Sequence, residues 1–173
     1  CTATVNTSFG SKVIIPGTGV IMNNEMDDFS IAPGVPNAFG LLGAEANAVA
    51  PGKRPLSSMS PTIVLKDGKP ILAVGAAGGP TIITQTLLAI IHTIDFGLPI
   101  QKALAQPHFH HQWTPDQVRI ERKIGEKVLA ELRDRGHTLK LYNQMGATQA
   151  TSLRNGKFEA AHDPRLKGKA TSY

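Results

Sequence analysis

Residues 62–80 have the sequence TIVLKDGKPILAVGAAGGP, which predicts the order of the central elements of the fold. Two runs rich in β-branched and aliphatic residues flank Asp67-Gly68, a dipeptide typical of tight hairpin turns, so we predict an antiparallel strand pair over residues 62–75. The second strand runs into Gly78-Gly79-Pro80, and the strongly apolar segment at residues 81–96 predicts a helix directly after it. A strand, a glycine turn and a helix therefore follow one another without a connecting loop.

The glycine turn at Gly78 and Gly79 is the first candidate site. Glycines at the start of a helix allow backbone N–H groups to converge on a small anion, which the helix dipole also attracts. A phosphate, a carboxylate or the oxyanion of an acyl transfer fits this geometry, and a plain turn at a helix start is the alternative. The turn is neither a P-loop, since no Gly-Lys-Ser/Thr follows, nor a dinucleotide fingerprint, since the strands are predicted to be antiparallel.

The remaining pattern predicts an α+β fold in one domain, residues 1–173. The predicted strands form antiparallel hairpins with the helices grouped between them, which favours α+β layers over alternating βαβ units. Small polar residues alternate along Cys1–Thr7, which predicts a strand with a polar face. The further predicted strands are 12–15, 19–22, 138–142, 149–154 and 157–162, and the further predicted helices are 100–106 and 125–135.

Composition and charge exclude several classes of protein. The chain has 173 residues, of which 41% are hydrophobic, enough for one core, and its longest apolar runs are too short to span a bilayer. The net charge is +5, but basic and acidic residues alternate over residues 119–140 without interleaved aromatics. This pattern favours a solvated surface over a nucleic-acid interface. The single cysteine excludes an internal disulfide and a cysteine-based zinc site.

A long irregular stretch, residues 23–61, carries the second group of candidates. Loops of this length inside a compact domain are uncommon and usually functional. Acidic residues cluster in Asn23-Asn24-Glu25-Met26-Asp27-Asp28, and hydroxyls cluster in Ser57-Ser58-Met59-Ser60. Together they suit a zwitterion, because carboxylates hold an ammonium while hydroxyls and N–H groups hold a carboxylate. The alternatives are a calcium site or an Asx turn for the acidic segment, and a polar turn for the serines.

Two further features invite a metal or catalytic interpretation. His108, His110 and His111 have the look of a metal site, but on a strand the first two share a face and the third points away. No nearby residue is spaced to complete a ligand set, so we favour hydrogen-bonded histidines in a packed core. Cys1 has the position of an N-terminal nucleophile whose own α-amine is the base, and the alternative is that the sequence merely begins there.

Taken together, these motifs resemble the small, catalytic subunit of γ-glutamyltranspeptidase, an N-terminal nucleophile hydrolase. The resemblance covers nearly the whole chain, and its most specific block, Ser57-Ser58-Met59-Ser60-Pro61-Thr62, is long and hard to match by chance. The other matching blocks are Val5–Gly10, Asn23–Ser30, Pro33–Asn37, Lys53–Thr62, the Gly78-Gly79 pair, Phe109–Trp113 and Asp163-Pro164-Arg165.

The resemblance implies a binding site for the amino-acid end of a γ-glutamyl group. Asn6, Glu25 and Asp28 would surround the α-ammonium, with Asp28 as its direct ionic partner. Ser57 and Ser58 would hold the α-carboxylate, together with an arginine of the other subunit.

The resemblance also implies the groups that act on the reacting bond. Gly78 and Gly79 would supply the N–H groups of an oxyanion hole, each worth roughly 3 kcal/mol of the barrier. The hydroxyl of Thr4 would support the nucleophile. Residues 37–41 would form a lid over the site, with Phe39 at the position of an aromatic gate.

For the whole enzyme, the resemblance implies the four-layer αββα sandwich of N-terminal nucleophile hydrolases, incomplete here at its N-terminus. The implied reaction is γ-glutamyl transfer from glutathione or a related amide, through a γ-glutamyl-enzyme, to water or an amino acid. It needs no cofactor and no metal. The implied partner is the large subunit, which autocatalytic cleavage releases from the same precursor, and the expected location is periplasmic or extracellular.

One departure from the family concerns the nucleophile. The small subunit of the family begins with the nucleophilic threonine, a strand and a turn upstream of Val5, whereas Cys1 aligns inside the second strand. We therefore expect the nucleophile to be missing and the 173-residue chain to be inactive by itself; a relocated nucleophile at Cys1 is the alternative. The alternative functions are a glutaryl or cephalosporin acylase of the same fold, and an inactive fragment that acts only as a scaffold.

Overall fold

Regular secondary structure begins at the predicted hairpin. The computed structural model describes residues 1–171 and divides into two compact units, Cys1–Ser58 and Met59–Tyr173. The first unit contains the 3-10 turns Glu25–Asp28 and Glu45–Asn47. That residues 1–173 form one domain stays a prediction, which the division into two compact units does not test. The elements of the second unit, in chain order, are β1 (Thr62–Lys66), β2 (Lys69–Ala77), α1 (Ile82–Ile94), α2 (Ile100–Leu104), β3 (Phe109–His110), β4 (Val118–Glu121), α3 (Glu126–Asp134), β5 (Leu139–Tyr142), β6 (Ala147–Arg154) and β7 (Lys157–His162).

A four-stranded antiparallel sheet in the order β1-β2-β6-β7 forms the main layer of the second unit. Because side chains alternate between the two faces of a strand, every second residue of β2, β6 and β7 points towards α1 and α2. Burial of these apolar residues against the helices forms the core. The core residues are Leu72, Val74, Ala89, Ile100, Leu104, Ala150 and Ala161.

Large apolar side chains on the two edge strands of this sheet are exposed in this chain. Ile63 and Leu65 of β1 are 67% and 60% exposed, and Phe158 of β7 is 66% exposed. Exposed large apolar side chains at both edges of one sheet often mark an interaction surface.

A second, three-stranded sheet has the order β3-β4-β5. The strands β4 and β5 are parallel, with α3 between them in the sequence, so the prediction of antiparallel hairpins alone is wrong for this part. Strand β4 was not predicted, because it is only four residues long and its charged residues continue into the charged pattern of α3. Among the described residues, no helix combines the length and the apolar character needed to cross a membrane.

The predicted strand at Cys1–Thr7 is wrong, whereas the β-prone pieces that follow do pair. Asn6 and Thr7 have φ angles of 57° and 33°, and the amide of Gly10 bonds the carbonyl of Asn6 at 3.1 Å, so the chain turns here. Residues 12–15 and 19–22 meet through a single antiparallel bridge. The other predicted strands and helices are confirmed, with ends that differ by a few residues.

Candidate active site

A carboxylate pair lies in the first unit, on the turn Glu25–Asp28. Buried Phe29 follows this turn, and its amide bonds the carbonyl of Met26 at 3.2 Å. Burial, together with the hydrogen bond and the charge of the neighbouring Asp28, raises the pKa of Glu25 from 4.5 to about 7. Glu25 Oε1 is buried without a hydrogen-bond partner among the described residues. A cation beside this pair would offset both the repulsion and the cost of burial.

Thr4 and Asn6 are connected to the carboxylate turn through Asn24. The amide of Asn6 donates to Thr4 Oγ1 at 2.8 Å, and Asn6 Nδ2 donates to the carbonyl of Asn24 at 3.4 Å. The amide of Asn24 donates to the carbonyl of Val5 at 3.1 Å. The structure therefore brings both predicted residues beside the residue that precedes Glu25.

Ser57 and Ser58 are exposed, and Asn47 connects their segment to the carboxylate turn. Asn47 Nδ2 donates to the carbonyl of Asp28 at 2.7 Å, while Asn47 Oδ1 accepts from the amide of Leu56 at 3.0 Å. One amide side chain thus sets the spacing between the aspartate and the serine segment. The role of Asn47 was not predicted, since an asparagine in an irregular loop gives no signal that it bridges two segments.

The predicted lid at residues 37–41 is a closed loop of defined shape. Asn37 Oδ1 accepts hydrogen bonds from the amides of Phe39 and Leu41, both at 3.0 Å. The amide of Asn37 also donates to the carbonyl of Leu41 at 2.9 Å. Phe39 is half-buried at the tip of this loop, and its role as a gate stays a prediction.

Gly78 and Gly79 lie in the second unit, between the end of β2 and the start of α1. Their φ angles of 147° and 58° lie in the positive region, where residues other than glycine are strained. A Cβ atom at Gly78 would lie 2.6 Å from Thr81 Oγ1 and 2.9 Å from the Cα of Gly146. Over the described part of the chain neither glycine amide donates a hydrogen bond. Two adjacent N–H groups at the start of a helix are an anion-binding arrangement.

The prediction that His108 and His110 are hydrogen-bonded core residues is confirmed. Both are buried, which lowers the pKa of each imidazole. His108 Nδ1 lies 2.7 Å from the carbonyl of Met145, and His110 Nδ1 lies 3.1 Å from Thr84 Oγ1. His111 is exposed. Within residues 1–171 no three His, Cys, Asp or Glu side chains group together as metal ligands would.

A buried ion network in the second unit was not predicted from the sequence. Arg165 Nε lies 2.6 Å from Glu121 Oε1, and Arg165 Nη1 lies 2.9 Å from Asp163 Oδ1, with both acids fully buried. Burial alone would raise the pKa of Glu121, but hydrogen bonds from Arg165 and from the amides of His108 and Met145 lower it to about 2. In the sequence Glu121 looks like one more surface charge, because it stands within the mixed charges of residues 119–140.

The predicted site residues divide between the two units. Each unit has its own arrangement, one suited to a cation beside carboxylates and the other to an anion at two amides, and the catalytic and binding roles of the residues stay predictions. The first unit holds Thr4, Asn6, Glu25, Asp28, Phe39, Ser57 and Ser58, and the second holds Gly78 and Gly79.

Comparison with known proteins gives one consistent result. The family model described as gamma-glutamyltranspeptidase matches residues 1–173. The glutathione hydrolase proenzyme of Escherichia coli (strain K12) is 48% identical over 165 residues, which are 95% of this chain and 28% of that protein. The chain therefore spans less than a third of the length of this curated relative.

Solved structures give the same result. A gamma-glutamyltranspeptidase of Helicobacter pylori superposes with a TM-score of 0.90 at 45% identity, covering 96% of this chain and 92% of that chain. One from Pseudomonas nitroreducens, complexed with L-DON, has a TM-score of 0.92 at 43% identity, and the match covers 100% of this chain and 92% of that chain. These likenesses confirm the predicted α+β class and the fold of the N-terminal nucleophile hydrolases.

Proposed function

The chain belongs to the γ-glutamyltranspeptidase family, and from this membership we propose that it is the catalytic part of an enzyme that transfers γ-glutamyl groups to water or to an amino acid. The proposed donor is glutathione or another γ-glutamyl amide. The name of the Escherichia coli relative, a glutathione hydrolase proenzyme, supports both hydrolysis and a precursor that is cleaved into subunits.

The carboxylate pair is the observation that carries this proposal. A γ-glutamyl donor has an α-ammonium, and the raised pKa of Glu25 beside Asp28 supports a site that lacks one positive charge. In the proposed complex Asp28 pairs with the ammonium, Glu25 and Asn6 complete its surroundings, and Ser57 and Ser58 bind the α-carboxylate. A glutaryl donor has no ammonium, so this pair argues against the acylase alternative.

The chemistry proposed for the glycine turn is stabilisation of the tetrahedral intermediate. As the nucleophile adds to the γ-carbonyl, negative charge develops on the carbonyl oxygen, and the amides of Gly78 and Gly79 donate to it. Collapse of the intermediate breaks the amide C–N bond: the amine leaves with the proton that the nucleophile's hydroxyl gave up, and a γ-glutamyl ester remains on the enzyme. Water or an amino acid then attacks this ester through the same oxyanion, and the hydroxyl of Thr4 supports the nucleophile throughout.

The proposed partner is the large subunit of the same precursor. The exposed apolar side chains of Ile63, Leu65 and Phe158 on the edge strands support this assignment, because a layered fold buries both faces of such a sheet. No cofactor is required by the proposed steps. A periplasmic or extracellular location is proposed from the family alone.

Steady-state kinetics with two substrates test this proposal. The cleaved enzyme, expressed from its full precursor, is given a chromogenic γ-glutamyl anilide with increasing amounts of an amino-acid acceptor. A covalent intermediate predicts ping-pong kinetics, with parallel lines in the double-reciprocal plot and a γ-glutamyl dipeptide as product. Intersecting lines, or no release of the aniline, would contradict the proposal.

A further inference from the structure

The proposed oxyanion donors belong to two consecutive peptide groups. The N–H of Gly78 shares its peptide plane with the carbonyl of Ala77, and the N–H of Gly79 shares its plane with the carbonyl of Gly78. Because a trans peptide group is planar, a contact that fixes the direction of the carbonyl also fixes the opposite direction of the N–H. The groups that hold these two carbonyls therefore aim the two donors.

Two side chains at the start of α1 hold those carbonyls. Thr81 Oγ1 donates to the carbonyl of Gly78 at 2.8 Å. Gln85 Nε2 donates to the carbonyl of Ala77 at 3.3 Å and to Thr81 Oγ1 at 2.7 Å. Each carbonyl thus accepts a side-chain hydrogen bond. The amide of Gln85 donates directly to the carbonyl of Ala77, and it also holds Thr81 Oγ1, which donates to the carbonyl of Gly78.

The amide of Gln85 is itself held in the core. The side chain is 1% exposed, and its Oε1 accepts from Thr148 Oγ1 at 3.2 Å. Thr148 is fully buried, and its backbone amide donates to Asp163 Oδ2 at 2.9 Å. A Cβ atom at Gly146 would collide with Gln85 Nε2, so the glycine leaves the space that the amide fills. A continuous chain of hydrogen bonds connects the buried ion network to the glycine turn.

We propose that Thr81 and Gln85 are positioning residues of the oxyanion hole. They set the directions of the two N–H groups before substrate arrives, so little reorganisation is needed when the oxyanion forms. Hydrogen bonds to the two carbonyls also polarise their peptide groups, which strengthens the N–H groups as donors. This inference rests on the proposed function, because an acyl transfer is the reaction that requires these donors.

The test compares kcat and KM in variants of the cleaved enzyme with the γ-glutamyl anilide, per active site counted with a covalent γ-glutamyl affinity label. Thr81→Val keeps the shape of the side chain and removes the hydroxyl, and Gln85→Met keeps its length and removes the amide. We expect kcat to fall about tenfold in each, with KM within about twofold of the wild-type value, because a misdirected donor weakens the transition state alone. Thr81→Ser restores the hydroxyl and should recover kcat to within about threefold.

Thr86→Val is the matched control. Thr86 is buried on the same helix, but its hydroxyl has no hydrogen-bond partner among the described residues, so kcat should stay within about twofold of wild type. A purely structural role for Thr81 and Gln85 would lower the yield or melting temperature and leave kcat per active site unchanged, which would overturn the inference alone. A wild-type enzyme that does not release the aniline would overturn the proposed function, and the inference with it.

Discussion

The two units of the chain hold their proposed functional groups by different means. In Cys1–Ser58, Phe29 is the only described residue that belongs to the buried apolar set, and the segments are connected by backbone and asparagine hydrogen bonds. In Met59–Tyr173 the glycine turn is attached to a sheet and a helix that share a core, and buried polar groups stand behind it.

This difference places the groups proposed to bind the donor and the groups proposed to accelerate the reaction on different kinds of structure. The groups proposed to bind the donor lie on loops without a core, where individual hydrogen bonds set each position and one substitution acts locally. The groups proposed to stabilise the transition state are backbone amides aimed by a packed scaffold, where a substitution changes the rate or the stability of the fold. Substitutions of the donor-binding residues in the first unit should therefore change KM, and those in the second unit should change kcat or the free energy of unfolding.

The largest effect on stability is expected from Arg165→Met. This change removes the guanidinium from the fully buried Glu121 and Asp163 and leaves Lys123 Nζ, at 3.4 Å, as the cation beside Glu121. Loss of one partner of a buried ion pair typically costs about 3–5 kcal/mol. Urea unfolding of the cleaved enzyme measures the loss. Arg154→Met is the control, since Arg154 is exposed at the end of β6 and its loss should cost under about 0.5 kcal/mol. Similar losses for the two variants would show that the network adds no stability.

The largest effect on rate is expected from Gly79→Ala. Gly79 has a φ of 58°, so an alanine strains the turn and displaces a proposed oxyanion donor. We expect kcat to fall by about 10²–10³ while KM for the donor changes far less. Gly168→Ala is the control, because a Cβ atom there would be in ordinary contact with His162 at 3.5 Å. A rise of KM at constant kcat would place the oxyanion donors elsewhere.

A smaller effect, confined to binding, is expected from Asp28→Asn. Loss of the ionic partner of the α-ammonium should cost about 2 kcal/mol, the lower end for such pairs, and raise KM about thirtyfold. Asp27→Asn is the matched control on the same turn, where the side chain accepts a long hydrogen bond of 3.4 Å from Asn24, and it should cost under about 1 kcal/mol. Equal losses for the two variants would mean that the ammonium pairs with a different group.

The smallest effect is the pH dependence of donor binding. Glu25 has a pKa of about 7 in the free chain, and an adjacent ammonium would lower it, so binding releases a proton below that pH. Affinity should therefore be full above pH 7 and weaken as pH falls through it, with KM about tenfold higher at pH 6 than at pH 8. Glu25→Gln should remove most of this dependence, and an unchanged profile in that variant would contradict the assignment.

Sequence patterns predicted the second unit better than the first. Alternating apolar residues and the Asp67-Gly68 turn predicted β1 and β2, because a buried face imposes its period on the residues that form it. The strand predicted at residues 1–7 was wrong, because alternating polar residues in one segment do not ensure that another strand lies beside it to pair with. The turn conformation at Asn6 and Thr7 overrides the pattern there.

The site residues were predicted from family motifs, whereas the residues that hold them in place by hydrogen bonds and ion pairs were not predicted. Nothing in the sequence distinguishes the buried Glu121 from surface charges, or Gln85 from any polar residue of a helix. Asn47 likewise bridges two segments that are distant in the sequence from each other. Such roles depend on three-dimensional neighbours, and local sequence periodicity carries no information about them.

The proposed binding of the α-ammonium is tested by two donors that differ only in this group. The cleaved enzyme is given the anilides of γ-glutamate and of glutarate under the same conditions, and kcat/KM is measured for each. Because Asp28 and Glu25 are proposed to bind the ammonium, we expect kcat/KM to be at least about a hundredfold higher for the γ-glutamyl anilide. Equal values, or a preference for the glutaryl anilide, would contradict the proposed γ-glutamyl specificity and favour an acylase.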